Sequence, residues 1–502
     1  MNQIPHRGSA APFPSATAPA SRSAATAPAP RPAPSIPARA GLLALAAALA
    51  GCAVGPKYEL PATPHIAAFK EAEGWVPAAP ADALERGPWW TLFGDPVLNE
   101  LAASVEVSNQ NIAAAAAAYA QARALVAEQR AQLFPSVDLG GSGTRGGGGG
   151  DTRTSSQYRV NIGGSWEPDI WGRLAAANTA AGASAQASAA DLAAARLSAQ
   201  GELAANYFSL RQQDAQKALL DATVAGYERV LRIAQNRFKA GIAAHSDVLQ
   251  AQTQLDNVRI DLLTAARQRA QLEHAIAVLL GKAPAEFTLA PLPPSGPAAQ
   301  PSFPAVPAIP VGVPSTLLQR RPDIAAAERR VAAANEQIGI ARAAYFPSLN
   351  LSASYGFGAS QVAGLFSASN GLWSLGLSAA QTLFDAGATR ARVAGAEAGR
   401  DAAIARYRQT VLAAFAEVED QLAASRALEQ QQELRLSAAS AADQVEQQML
   451  NRYRAGQVGY TDVVNAQVTA LNARRALLQA QADRQATAVA LIQSLGGGWR
   501  AP

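Results

Sequence analysis

The sequence predicts a mixed α+β chain built by internal duplication, in which long α-helical hairpins alternate with pairs of β-strands. Three observations carry that prediction. The composition is extremely rich in alanine with only 6% aromatic residues, and alanine is the strongest helix former. Asn236-Arg237-Phe238-Lys239-Ala240-Gly241 recurs 215 positions later as Asn451-Arg452-Tyr453-Arg454-Ala455-Gly456. Four short segments alternate apolar with small or polar residues at period two, the mark of strands with two unlike faces.

The duplication sets the frame. The 215-residue register continues through Asp247/Asp462, Val248/Val463, Ala251/Ala466 and Gln252/Gln467, and closes at Leu280-Gly281 against Leu495-Gly496. An earlier segment repeats at 212: Phe134-Pro135-Ser136 matches Phe346-Pro347-Ser348, and Ile112 matches Ile324. A period above 200 is too long for a solenoid and indicates two equivalent halves. The chain then divides into a leader (1–51), an N-terminal segment (52–96), a first repeat (97–283), a proline-rich connector (284–314), a second repeat (315–497) and a short tail (498–502).

Each repeat reads in the same order. A helix over about 97–133, or 322–345, stops at a proline. A strand pair follows. In the first repeat Val137 and Leu139 alternate, then Tyr158, Val160 and Ile162; in the second, Leu349, Leu351, Ala353, Tyr355 and Phe357, then Trp373, Leu375 and Leu377. The hairpin loops run over about 145–156, including five glycines from Gly146 to Gly150, and about 361–370. No helix start follows the glycine run, so it is not a phosphate cradle. A very long helix comes next, about 174–238 or 388–454, then a turn at Gly241 or Gly456 and a returning helix, about 246–280 or 461–495. Leu220, Val224, Tyr227, Leu231, Ala234 and Phe238 step by threes and fours, a coiled-coil-like stripe. A helix of that length is roughly 100 Å long. The strands are of transmembrane β length. Four cannot close a barrel, and an open edge cannot sit in lipid. Either they form an ordinary soluble sheet, or copies pool them; three copies give twelve strands.

The N-terminus reads as an address. Arg39, an apolar run from Leu42 to Ala50, small residues and then Cys52 form a secretory signal, with Leu49-Ala50-Gly51-Cys52 matching the bacterial lipobox. Cys52, the only cysteine, is the expected acylation site, palmitate included; a plain secreted protein with a free thiol is the competing reading. The region preceding the apolar run is unusually long. The nominal charge of +4 comes from Arg7, Arg22, Arg31 and Arg39 in the leader; the remainder holds 38 basic and 38 acidic residues, which excludes a basic nucleic-acid footprint. His65, His245 and His274 are scattered without metal-ligand spacing. No nucleophile, histidine and acid, and no pair of acids, are arranged for catalysis, so neither an enzyme nor a cofactor is expected beyond the covalent lipid.

Four motifs carry a family resemblance: Cys52-Ala53-Val54-Gly55-Pro56-Lys57-Tyr58; Trp89-Trp90 with Phe93, Asp95-Pro96 and Leu98; Trp166-Glu167-Pro168-Asp169-Ile170-Trp171-Gly172-Arg173; and Arg320-Arg321-Pro322-Asp323-Ile324. Through them the whole mature chain resembles the TolC-like outer-membrane efflux factors, in particular the NodT lipoprotein branch. The resemblance implies a homotrimer with four β-strands per protomer in a trimeric 12-stranded β-barrel. It implies a periplasmic tunnel of long α-helical hairpins, an equatorial belt, and partnership with a periplasmic adaptor protein and an inner-membrane RND-type transporter in multidrug resistance.

The resemblance also implies site residues. Asp247 and Gln250 in the first repeat and Tyr453, Asp462 and Asn465 in the second match the closed end of the tunnel, with Asp247 and Asp462 lining the constriction and Tyr453 locking it. Helix capping explains the two acids equally well. Asn465 stands where some members carry a second acid, and Val458 where some carry arginine. Gly241 and Gly456 match the helical tips that meet the adaptor, with Arg237, Lys239, Arg452 and Arg454 beside them; solvated helix-end charges are the alternative. Trp171, Trp373, Tyr355 and Phe357 are candidates for the aromatic girdle, against ordinary packing. A duct for type I protein secretion and a structural coiled-coil surface lipoprotein remain the other functions this architecture allows.

Overall fold

The computed structural model describes residues 54–63, 66, 68–71, 88–147, 154–292, 305–307, 309 and 320–497. The leader, Cys52, His65, the tail and parts of the N-terminal segment, the glycine loop and the connector lie outside the described residues. The elements are α1 (Pro96–Ser108), α2 (Gln110–Ala131), β1 (Ser136–Gly146), β2 (Ser155–Trp166), α3 (Arg173–Lys239), α4 (His245–Leu279), α5 (Pro322–Ala343), β3 (Ser348–Ala359), β4 (Gly371–Ala380), α6 (Ala388–Arg454) and α7 (Tyr460–Ser494). Helices α3 and α6 each run 67 residues and α4 and α7 each 35, so the duplication holds to the residue in the hairpins.

The sequence predicts one helix over 97–133; the structure has two. Asn109 is extended (φ −68°, ψ 125°), its N–H closes α1 on the Val105 carbonyl, and its Oδ1 accepts from the amides of Asn111 and Ile112 to start α2. An asparagine that caps a helix start can interrupt even an alanine-rich run, because it supplies the partners that the first amides lack. Its Nδ2 donates to the Leu279 carbonyl at 2.8 Å. In the second repeat Arg321 holds the same place and donates to the Ser494 carbonyl at 3.1 Å. Both latches close beneath a left-handed glycine. At Gly281 (φ 64°) a Cβ would collide with the Ser108 carbonyl oxygen, and at Gly496 (φ 86°) with that of Arg320.

The main core sits where the short helices meet the middle of α3 and α6. Trp89, Trp90, Phe93, Leu98, Tyr207, Phe208, Ile276, Ile324, Val411 and Leu491 are all buried there. Nearer the sheet, α3 approaches α5 through buried alanines such as Ala180, Ala183 and Ala187, small side chains that let long helices lie close.

The four strands form one antiparallel sheet in the order β1-β2-β3-β4. Pairing of β2 with β3 (Ile162 opposite Tyr355) joins the two repeats; β1 and β4 are free edges within the protomer. The alternation expected from sequence is present as two faces. Leu139, Ile162, Tyr355 and Trp373 lie in one row across the four strands, with Leu375 and Leu377 following on β4, and all six are exposed, Trp373 and Leu139 at 79%. The opposite face carries serine, glycine and asparagine, with Asp138 and Arg159 as its charges among the described residues. Among the described residues no helix is long and apolar enough to cross a membrane.

Candidate functional site: a two-faced sheet and a latched helical tip

The junction between sheet and helices is built by the motif that follows β2. Trp166 donates from Nε1 to the Leu133 carbonyl at 3.0 Å, and Trp171 to the Pro347 carbonyl at 2.7 Å. The two indoles therefore fasten the proline-ended turns of both repeats. Trp171 stacks on Phe346 at 4.7 Å and is half-buried, so within the protomer it takes the packing role. Arg173 clasps Glu167, and Asp169 accepts from the Ala175 amide at 2.6 Å to begin α3. Of the remaining girdle candidates, Trp373 and Tyr355 face outward with the apolar row. Phe357 is half-buried between Tyr355 and Phe366, at 5.7 and 5.5 Å.

The chain that follows Cys52 is strapped along this frame. The Val54 amide reaches the Trp171 carbonyl (3.4 Å), Asn335 donates to Pro56 O (2.9 Å), and the Tyr58 hydroxyl donates to Glu328. Gly55 lies against Gly339 so closely that a Cβ on either would press on the other's Cα. Farther on, the amides of Lys70 and Glu71 both donate to the Glu419 carboxylate, at 2.6 and 2.8 Å.

At the far end, each helical hairpin turns on a left-handed glycine, Gly241 (φ 71°) and Gly456 (φ 74°). The same pair of backbone bonds closes both turns: Gly241 N to Phe238 O and Ile242 N to Arg237 O, then Gly456 N to Tyr453 O and Gln457 N to Arg452 O. This is the glycine-ended helix stop, which meets orphan carbonyls with amides from beyond the end. An aromatic pair sits above each turn. Phe238 and His245 lie 5.0 Å apart, and Tyr453 and Tyr460, at the same places in the second repeat, 5.4 Å apart.

The two tips differ in cover. Tyr453 is 2% exposed and Phe238 44%. From the other hairpin Tyr453 is covered by Val230, Ala234 and Ala251, with Arg237 closing over them. Its guanidinium lies 4.8 Å over the tyrosine ring, and its Nη1 donates to the carbonyls of Tyr453 (3.0 Å) and Arg454 (3.3 Å). Arg237, grouped in the sequence with the adaptor-facing charges, is thus the tie between hairpins, while Lys239, Arg452 and Arg454 are exposed.

The two acids also differ. Asp462 accepts from the Gly459 amide at 3.2 Å, the reach-back of an acid at the third helical position, so it caps α7. Asp247 makes no such cap. It faces the buried tyrosines: burial raises the pKa of Tyr453, and the nearby Asp247 carboxylate raises it further, against the opposing Arg237 charge. Burial likewise raises Tyr460, with Tyr227, Tyr453 and Asp247 adding to it. Among the described residues the Tyr453 hydroxyl makes no hydrogen bond of normal geometry, and the group beside it is the Asp247 carboxylate. Gln250 and Asn465 are exposed. Sequence reasoning passed over Tyr460 and His245; the 215-residue offset places them opposite one another and was the signal that could have found them.

The profile of the outer membrane efflux protein family matches residues 101–282 and 313–497, one segment in each repeat. The chain belongs to the outer membrane efflux protein family. It is 33% identical over 466 residues to the toluene efflux pump outer membrane protein TtgI of Pseudomonas putida, covering 90% of this chain and 96% of that one. It is 28% identical over 457 residues to the cation efflux system protein CusC of Escherichia coli, covering 91% and 98%. Among solved structures, the outer-membrane channel OprN matches with a TM-score of 0.80 at 31% identity, over 89% of this chain and 100% of that one. The open state of the Neisseria gonorrhoeae MtrE outer membrane channel matches with a TM-score of 0.77 at 27% identity, over 89% and 98%. An outer membrane efflux protein meets the membrane through its sheet, and the long hairpins extend away from it.

Proposed function

We propose that three copies of this chain pool their sheets into one twelve-stranded barrel and their hairpins into one tunnel, making a passive exit duct for small molecules. The observation that carries this reading is the sheet itself, with one apolar exposed face, one polar face and two unpaired edges. Lipid tolerates no unpaired backbone, so β4 of one copy has to meet β1 of the next. Strands of 10 to 12 residues, tilted as barrel strands are, span roughly 26–31 Å, enough for an apolar band about 25 Å tall. Twelve such strands give a wall radius of about 12 Å, and four alone would leave no lumen.

Cys52 carries the lipid anchor in this reading, two residues before the Val54 amide that is tied to the sheet–helix junction. The duct takes its substrates from a periplasmic adaptor and an inner-membrane RND-type transporter, which supplies the energy; the chain itself performs no catalysis. Asp247, Tyr453 and Arg237 form the lock at the tunnel end. Similarity to the toluene pump protein TtgI, greater than that to the cation system protein CusC, supports small molecules such as drugs as the cargo.

The test is single-channel recording of the purified acylated protein in planar bilayers, with native mass measured on the same sample. Small or rare openings from a trimer, enlarged by Asp247→Ala, support a gated duct. A membrane-inserted trimer that never conducts refutes it.

A further inference from the structure

We infer that Arg452 of each copy covers Phe238, paired with His245, in the next copy, as Arg237 covers Tyr453, paired with Tyr460, within the chain. This rests on the trimeric reading above. The two tips are built alike: the same glycine turn, the same aromatic pair 215 residues apart, and an arginine immediately before the first aromatic of each pair. In the protomer one aromatic pair is covered and the other bare. One arginine is likewise engaged and the other idle, since the Arg452 side chain has no hydrogen-bond or ion-pair partner among the described residues, and only its backbone carbonyl is used, in the turn. Phe238 is 44% exposed, against 2% for Tyr453.

Symmetry supplies the missing partner. In a ring of three duplicated chains the hairpins alternate, first repeat, second repeat, first repeat, around the axis. Within the chain the first hairpin presents its arginine to the second, which presents its aromatic pair to the first; carried round the ring, that leaves Arg452 and the Phe238–His245 pair to face one another. The contact from first to second repeat lies within a chain and is the Arg237–Tyr453 contact. The contact from second to first repeat falls between chains and joins the two surfaces that the protomer leaves open. A ring closes only if each interface uses complementary patches, and a guanidinium over an aromatic face is such a pair. The same geometry aims the Arg452 Nη atoms at the carbonyls of Phe238 and Lys239 of the next copy, as Arg237 reaches those of Tyr453 and Arg454.

Cysteine pairs test this, because the only native cysteine is Cys52. Arg452→Cys with Phe238→Cys, treated with a short bismaleimide, is expected to give covalent dimers and trimers on a denaturing gel. Arg237→Cys with Tyr453→Cys is the calibrating control and is expected to link within one chain at similar yield. A trimer, established by native mass, in which the control links and the 452/238 pair gives no inter-chain product overturns the inference. A sample that is not trimeric refutes the assembly reading instead. Where the double-cysteine protein fails to assemble, Arg452→Ala serves: it should raise the frequency of channel openings about as much as Arg237→Ala does. An effect less than a third as large overturns the inference.

Discussion

Replacing Arg237 by alanine removes one cation–π contact and two hydrogen bonds that hold the two hairpin tips of a protomer together. The ring is buried and the arginine half-buried, so the cation–π contact contributes about 1 kcal/mol, midway between exposed and desolvated cases. The bond to Tyr453 O at 3.0 Å is charge-assisted and the one to Arg454 O at 3.3 Å is long; discounted for solvent, together they contribute about 1 kcal/mol. The sum of about 2 kcal/mol corresponds to roughly a 30-fold shift toward separated tips if each protomer opens independently, and to a far larger one if the three open together. Tyr453→Phe keeps the ring and the backbone carbonyls and removes only a hydroxyl that makes no hydrogen bond of normal geometry among the described residues, so it should shift opening much less. The assay is open probability in planar bilayers, with the thermal midpoint of the trimer measured alongside to separate gating from unfolding. An Arg237→Ala channel with the wild-type open probability would refute the latch, and so would a Tyr453→Phe channel that opens more than Arg237→Ala.

Four further outcomes follow from the same structure. Leu375→Arg, on the apolar face, should cost about 2–4 kcal/mol per copy and deplete assembled protein in outer-membrane fractions, whereas its neighbour Ser374→Arg, on the polar face, should assemble; equal loss would mean that the faces are assigned wrongly. Gly281→Ala or Gly496→Ala forces a Cβ into a carbonyl at positive φ and should lower stability by about 2–4 kcal/mol, read as the trimer's thermal midpoint. Tyr453 and Tyr460 have raised pKa values in the folded state, so their contribution is complete below the unfolded tyrosine value near 10.0 and is lost as pH rises through the higher folded values. Near-UV circular dichroism should show loosening above that point, diminished in the Tyr453→Phe/Tyr460→Phe protein. Arg159 and Asp138 are the charges on the polar face among the described residues. At roughly 6 Å from the axis, screened over a 10 Å Debye length, three guanidiniums add about 1 kcal/mol per unit charge on the axis, roughly a sevenfold change in the local concentration of each monovalent ion, in opposite directions for cations and anions. Arg159→Gln should therefore move the reversal potential toward cations and Asp138→Asn toward anions.

Much of this fold was legible because its signals are periodic. The offset of 215 residues located both hairpins to within a residue or two, and the alternation in β3 and β4 gave the faces of the sheet before any pairing was known. What periodicity cannot show is a single residue acting against its neighbours. The Asn109 break is invisible to helix propensity, since the alanines on its C-terminal side favour one unbroken helix. It is made by one side chain that caps α2 and grips the end of α4. The two aspartates are indistinguishable in sequence and physically different: Asp462 has an amide three residues back to cap, and Asp247 has buried tyrosines to face.

The same limit explains the tips. Sequence gives Arg237 and Arg452 equal standing, and Phe238 and Tyr453 nearly so. Their different surroundings arise because a duplicated chain in a ring has two kinds of neighbour, its own other half and another copy. Where both repeats keep the same residue, as at the turn glycines and the arginines before the aromatics, that residue has to serve in both settings. Where they diverge, the setting has been free to specialise: Arg321 for Asn109 at the latch, Tyr453 and Tyr460 for Phe238 and His245 at the tip. The divergent positions are therefore where a contact within the chain parts company from its counterpart between chains. The Tyr453 hydroxyl beside Asp247 is a group the first repeat lacks, so removing it should act weakly and at three of the six hairpins, and removing the arginines strongly and at all six.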